Sequence, residues 1–347
     1  MIQGQTKTEA QYRAVIMDSS SSLKEFSQNR KKYHKKYILN EAVEEEDSKA
    51  SVMGRLVETL LMEDHLFDSK FHMSVISSTP TGLMLDFVEA LYKYTAAATN
   101  EDGILTRNFE EICKDAHADS GFKIKLDAVL NKFMGSDAEV YYKEIREVRS
   151  KGLTVVTTQD VTNAEKIVTE LKTNNITSEI VNLVNSSIYS VHNQLPVECY
   201  DVFGHMFKSM MDMVHVDHAN KIVQVYDLKC TWAVENFYDE YYLYRRAYIQ
   251  GFLYHKAAES WASEMGYGDY KILYPKFIVC DSTNYSSPLV YAMSDINMQD
   301  ALNGFEHKGR NYPGVASLIE DLDWAIENDK WNISKENYIN NGVVKLA

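Results

Sequence analysis

HMFKSMMDMVHVDHANKIVQVYDLKCT, residues 205–231, reads as two strands joined by a turn. Both arms are rich in β-branched, aromatic and long apolar side chains, and DHAN at 217–220 is a cluster of turn formers. Side chains alternate between the faces of a strand, so in the second arm Asp227 and Lys229 share one face and Leu228 points to the other. Pairing of the arms about DHAN would bring Asp212, set inside the apolar run MMDMV, beside Asp227. Upstream, SIYSVHNQLPVECYDVFG (187–204) has the same character and ends on the turn signal Phe203-Gly204, which predicts an antiparallel meander of three strands.

Downstream the period changes. Residues from about 234 to 264 predict one long helix, closed by Gly266 as a helix C-terminus favours. KILYPKFIVCDS (271–282) and PLVYAMS (288–294) predict two further strands, and 294–330 closing helices. In the other direction, residues up to about 187 carry mainly helical periodicity: 51–62, LMLDFVEALYKYT (83–95), KLDAVLNKFM (125–134), NAEKIVTELKTN (163–174) and SEIVNLVNSS (178–187). SSSSLKEFSQNRKKYHKKY (19–37) looks like a capped helix start leading into a basic, tyrosine-bearing helix, followed by the acidic stretch EAVEEEDSKAS (41–51). The expected fold class is α/β (α+β), a mixed central sheet flanked by helices. The expected organisation is a helical region 1–187 and a core 188–347, forming one compact unit.

Composition narrows the function. At 347 residues, 45% apolar and 25% charged, the chain can build a substantial core. No stretch approaches the roughly 20 apolar residues that cross a bilayer, and the N-terminal residues lack the apolar segment of a secretory signal, so an intracellular, cytoplasmic protein is expected. Cys113, Cys199, Cys230 and Cys280 are far apart in sequence and form no CxxC pair, which argues against a structural zinc site or an iron–sulfur cluster. A net charge of -14 excludes a uniformly basic surface but leaves room for a local basic groove.

Two carboxylates converging at a strand end attract a hard, oxygen-seeking cation such as Mg²⁺. A cation there can lower the pKa of a water and stabilise charge on a phosphate, and Lys229 could orient that water or balance the phosphate. The plain alternative is an Asp–Lys pair on a solvated strand face, which would account for an isolated DxK. Context favours chemistry: the strand is otherwise apolar, its neighbour carries a second Asp, and a particular helix follows. In RRAYIQGFLYHKA (245–257), Arg246, Gln250 and Tyr254 recur every four residues and would share one helix face.

Asp212, then Asp227-Leu228-Lys229, then Gln250-Gly251-Phe252-Leu253-Tyr254 resembles the PD-(D/E)XK nuclease superfamily. The likeness is to the branch of the RecB nuclease domain and the RecE-like, lambda-exonuclease-like phage enzymes, where the order is Asp, then Asp/Glu-x-Lys, then a helical QxxxY. Lys229-Cys230-Thr231 is close to the Lys-Thr-Thr ending of that branch, and the likeness covers about 19–65 and 190–295. Gly54-Arg55-Leu56-Val57-Glu58 resembles its helical GxxxH, with Glu58 in place of the His. Glu58 is thus a metal ligand or a surface glutamate, and Glu198, on the strand before Asp212, a ligand or a strand-surface carboxylate. The resemblance implies a restriction-endonuclease-like core. It further implies a Mg²⁺ (or Mn²⁺) ion held by Asp212, Asp227 and the carbonyl of Leu228, with Lys229, Gln250 and Tyr254 completing the site.

The implied activity is an exodeoxyribonuclease on duplex DNA ends, in phage-type recombination or repair beside a single-strand annealing protein, with a homo-oligomer as a family possibility. Arg30, Lys31, Lys32, Lys35, Lys36, Arg245 and Arg246 are the candidate phosphate contacts. Alternatives are a structure-specific or nicking endonuclease on the same core, or a non-catalytic DNA-binding protein that kept the fold. His205, His215 and His218 have no zinc-ligand spacing and read as surface or supporting histidines, while Asp217 reads as a turn former.

Overall fold

The computed structural model describes residues 9–41 and 48–344; most of the acidic stretch lies outside the described residues. Contacts divide the chain into two units, residues 49–169 and residues 1–48 with 170–347. This division differs from a break near residue 187, because the N-terminal helices bury Leu23, Phe26 and Tyr33 in the same apolar core as the sheet. Among the described residues no helix is long and apolar enough to cross a membrane.

The sheet of the larger unit is mixed. Its path runs through Tyr189–Val202, His205–Asp217, Ile222–Thr231, Lys276–Asp281 and Leu289–Ala292, with the short strand Lys271–Ile272 beside the start of the third. The first three strands form the expected antiparallel meander. Val202 pairs with His205 across a two-residue turn in which Phe203 and Gly204 both have positive φ, the hairpin turn whose twist matches the strands. The third strand pairs in parallel with Lys276–Asp281, which places Cys230 opposite Cys280, so two cysteines distant in sequence are neighbours in space. Both thiols are free, and the contact with Cys230, together with burial, pushes the Cys280 thiol upward.

The sheet's inner face, with Val214, Val216, Val223 and Val225, packs in one core with the helix Ala247–Glu264. That helix is buried from Ala247 through His255, and Gly251 lets it approach closely: a Cβ there would run into Sδ of Met293. The single long helix expected over 234–264 is in fact two pieces. A π-helical turn covers Tyr238–Tyr244, and Arg246, at φ 56, breaks the ladder before Ala247. Met265 then caps the second piece, with Gly266 at φ 80 just beyond it. The closing region also differs, since a hairpin of Gly304–His307 and Arg310–Pro313 separates the helices Asp295–Asn303 and Val315–Asn328.

Ser19 caps the helix Ser20–Gln28 through a reciprocal bond with Ser22, as the serine run predicts. Beyond it come Arg30–Tyr33 and the π-helical turn His34–Ile38. SEIVNLVNSS gives only the turn of helix Ser178–Val181. The unit 49–169 is mainly helical, with its own core of Phe87, Leu91, Ile112, Phe133 and Ile145. It also holds a parallel strand pair, Phe71–Met73 with Thr154–Val156, which helical periodicity does not announce.

Candidate functional site

Strand alternation delivers Asp227 and Lys229 to the helix-facing side of the sheet. Asp227 is fully buried, and its Oδ2 makes an ion pair with Nζ of Lys229. Its Oδ1 accepts a 2.7 Å bond from Nε2 of Gln250. The same Nε2 lies 3.0 Å from the Tyr254 hydroxyl, which itself donates to the carbonyl of Met210 at 2.6 Å. Gln250 and Tyr254, one helical turn apart, therefore clamp the Asp227 strand and the neighbouring strand from above. Burial, reinforced by Asp212 and Asp227, holds the Tyr254 hydroxyl well above the ordinary tyrosine pKa, so it stays a donor.

Registered pairing of the second and third strands stops at Met213 and Tyr226. One step further, Asp212 bridges the gap with its side chain: Oδ2 accepts the backbone N–H of Leu228 at 2.9 Å. Nζ of Lys229 lies 3.4 Å from the Leu228 carbonyl. The two carboxylates, the ammonium and this carbonyl thus meet at the end of the antiparallel pairing.

Lys24, on the helix Ser20–Gln28, enters the same group; its Nζ donates to Oε1 of Gln250 at 3.2 Å. The segment SSSSLKEF carries this lysine, but the sequence does not single it out. Its one signal was a lysine within a serine-capped motif, and nothing local ties it to a glutamine 226 positions away. Burial, then repulsion by Lys229, lowers the Lys24 pKa to about 8, against the opposing pull of Asp227 and Asp212.

No family model matches this chain, and no curated protein does. Its fold matches a crystal structure from Eubacterium rectale that carries a provisional exonuclease name. The two superpose with a TM-score of 0.50 at 12% identity, over 99% of this chain and 96% of that one. The likeness is one of fold. The alignment runs through both units.

The donor set suits a hard cation. Two carboxylates and a carbonyl are all oxygen donors, and buried Oδ2 of Asp227 meets only the Lys229 ammonium. Among the described residues no three His, Cys, Asp or Glu side chains gather at one point. A cation here would rely on these two carboxylates, with water and phosphate oxygens making up its coordination, as Mg²⁺ commonly does. Glu198 lies half-buried at a bulge, where Glu198 and Cys199 together oppose Lys208. Glu58 is half-buried on the helix Lys49–Met62 of the other unit.

The candidate phosphate contacts divide. Arg30 is ion-paired with Asp321 and lies over the Phe26 ring, and Lys32 pairs with Glu25 at 3.0 Å, so both charges are already engaged. Lys36 lies over the Tyr37 ring. Lys31, Lys35 and Arg245 are exposed, Arg245 against the face of Tyr241. Arg246 does not share the Gln250–Tyr254 face, because its left-handed backbone makes it the N-cap; it is half-buried, and its Nη1 has no hydrogen-bond partner.

The histidines make supporting contacts. His205 is clasped between Asp18 at 2.9 Å and Asp323 at 2.7 Å, which raises its pKa. His215 is buried on the sheet, and burial lowers its pKa to about 4. His218 bonds Ser190 and Tyr270. Asp217 accepts from the backbone and side chain of Asn220, the turn role expected of it.

Proposed function

We propose that this chain is a metal-dependent deoxyribonuclease that acts on duplex DNA ends. The observation that carries the reading is the clamp on Asp227: a fully buried carboxylate held by Gln250, paired with Lys229 and set beside Asp212. An ion pair kept for stability alone is weak use of a buried site, since apolar side chains of similar volume commonly stabilise as well. The provisional exonuclease name of the Eubacterium rectale structure points the same way.

In this reading Asp212, Asp227 and the Leu228 carbonyl hold Mg²⁺ or Mn²⁺. The ion supplies acidification of water and neutralisation of phosphate charge when bound. Gln250 fixes the rotamer of Asp227, and Tyr254 anchors Gln250 to the Met210 carbonyl. Lys229 carries its ammonium at the strand end, where it orients the attacking water or neutralises a phosphate oxygen.

The test is end-labelled linear duplex incubated with Mg²⁺, Mn²⁺ or Ca²⁺, beside a closed circle of the same sequence. Shortening of the linear strand with Mg²⁺ or Mn²⁺ is expected. It should fall roughly 10²–10⁴-fold in Lys229→Ala, and at least as far in Asp227→Asn. Cleavage of the circle would make the enzyme an endonuclease. Absence of cleavage with every metal, or cleavage unchanged in both variants, would leave a DNA-binding protein on this fold.

A further inference from the structure

Lys24 differs from most cations around it. Arg30, Lys32 and Lys229 each face a carboxylate, whereas the hydrogen bond of Lys24 goes to a neutral amide oxygen and no ion pair joins it to a described residue. Lys24 is half-buried, its ammonium stands within the field of Lys229 and Arg245 as well as that of Asp227 and Asp212, and it has three N–H groups for that one bond. A cation withdrawn from water with no carboxylate in contact with it is costly. An anion at this point would compensate Lys24.

The bond also sets the sense of the Gln250 amide. Nε2 faces the Asp227 carboxylate and Oε1 faces the ammonium; turned over, the amide would oppose acceptor to acceptor and donor to donor. We propose that Lys24 receives a backbone phosphate of the bound strand and, through Oε1, keeps Gln250 oriented on Asp227. The identity of the anion rests on the nuclease reading; the placement of the cation does not. Lys24 is thus a phosphate contact and a positioning residue, brought to the site by an N-terminal helix far from it in sequence.

Fluorescence anisotropy with a labelled blunt duplex in EDTA, from 50 to 200 mM salt, reads the phosphate contact without cleavage. Lys24→Met should bind roughly tenfold more weakly at mid-range salt, as loss of a charge-assisted bond implies. The slope of log affinity against log salt should be shallower by about 0.9, one phosphate's worth. Lys24→Arg should restore both. In Mg²⁺, Lys24→Met should raise KM and also lower kcat as Gln250 loosens, with Lys24→Arg recovering KM more fully than kcat. If Lys24→Met does not fold, Lys24→Gln, which keeps a donor but no charge, carries the same expectations. Unchanged affinity and slope in the charge-removing variants overturn the proposal, even where the wild type cleaves DNA. Binding with the predicted slope change but no cleavage under any metal would sink the nuclease reading and leave Lys24 standing. Failure of the wild type to bind any duplex would end both.

Discussion

Tyr254 shows how much of the site depends on single hydrogen bonds. Its hydroxyl joins two elements, accepting from Gln250 on its own helix and donating to Met210 on the strand that also carries Asp212. Tyr254→Phe leaves the ring packed but strips the Met210 carbonyl and Gln250 of a partner in a buried setting. Urea denaturation should show a loss of about 1–3 kcal/mol, and cleavage should fall less than in Lys229→Ala, because Asp227 keeps its bond to Gln250. A Tyr254→Phe protein as stable as the wild type would show the bond to be idle. The residues of this cluster differed in how readable they were. Asp227 with Lys229, and Gln250 with Tyr254, follow from the strand period of two and the helix period near four. Asp212 needed only a correct hairpin. Lys24 could not be read, because its partner is fixed by packing between distant segments and local periodicity carries no such information.

The elements were legible where apolar periodicity and turn residues agreed, as in the three-strand meander. They were misread where a backbone irregularity interrupts a continuous apolar pattern. The stretch 234–264 has no proline or glycine before Gly251, yet it breaks at Arg246, a residue whose type gives no warning of a positive φ. Gly251 is the complementary case, a helix glycine that propensity disfavours but packing demands. Gly251→Ala would press a methyl into Met293 and the Phe277 ring, at a predicted cost of about 1–3 kcal/mol once Met293 shifts. A Gly251→Ala protein with an unchanged or raised melting temperature would show that Met293 moves freely. The strand that starts at His205 is tied to the N-terminal segment and to the helix Val315–Asn328 by the Asp18–His205–Asp323 clasp. Because the folded pKa of His205 is raised above 6.5, its contribution is complete below pH 6.5 and disappears as pH climbs through the raised value. The stability gap between wild type and His205→Asn, measured by urea denaturation, should therefore be widest below pH 6.5 and narrow in alkali. A gap that widens with pH would contradict the clasp.

At the scale of the molecule, the helical unit 49–169 is what the sequence left least defined. It shows ordinary amphipathic helices but no motif beyond Glu58, and its interruption of the sheet-bearing unit is invisible without knowing that the helix Ser20–Gln28 packs beside Gln250. Its core is nevertheless complete in itself. Phe87, Leu91, Ile112, Phe133 and Ile145 are buried among residues of the same unit, and Thr95 bonds Tyr142 within it at 2.8 Å. A segment with its own apolar core and internal bonds meets the usual conditions for independent folding. Residues 49–173, which keep the boundary helix Thr158–Thr173 whole, should give a helical circular-dichroism spectrum and a cooperative melt when expressed alone. A non-cooperative transition would mean that this core is completed by the rest of the chain. The proposed chemistry makes a separate demand, because every residue in the Asp227 cluster belongs to the larger unit. The isolated segment should therefore fold without cleaving DNA under conditions where the full chain does, and cleavage by the segment would place the active centre elsewhere.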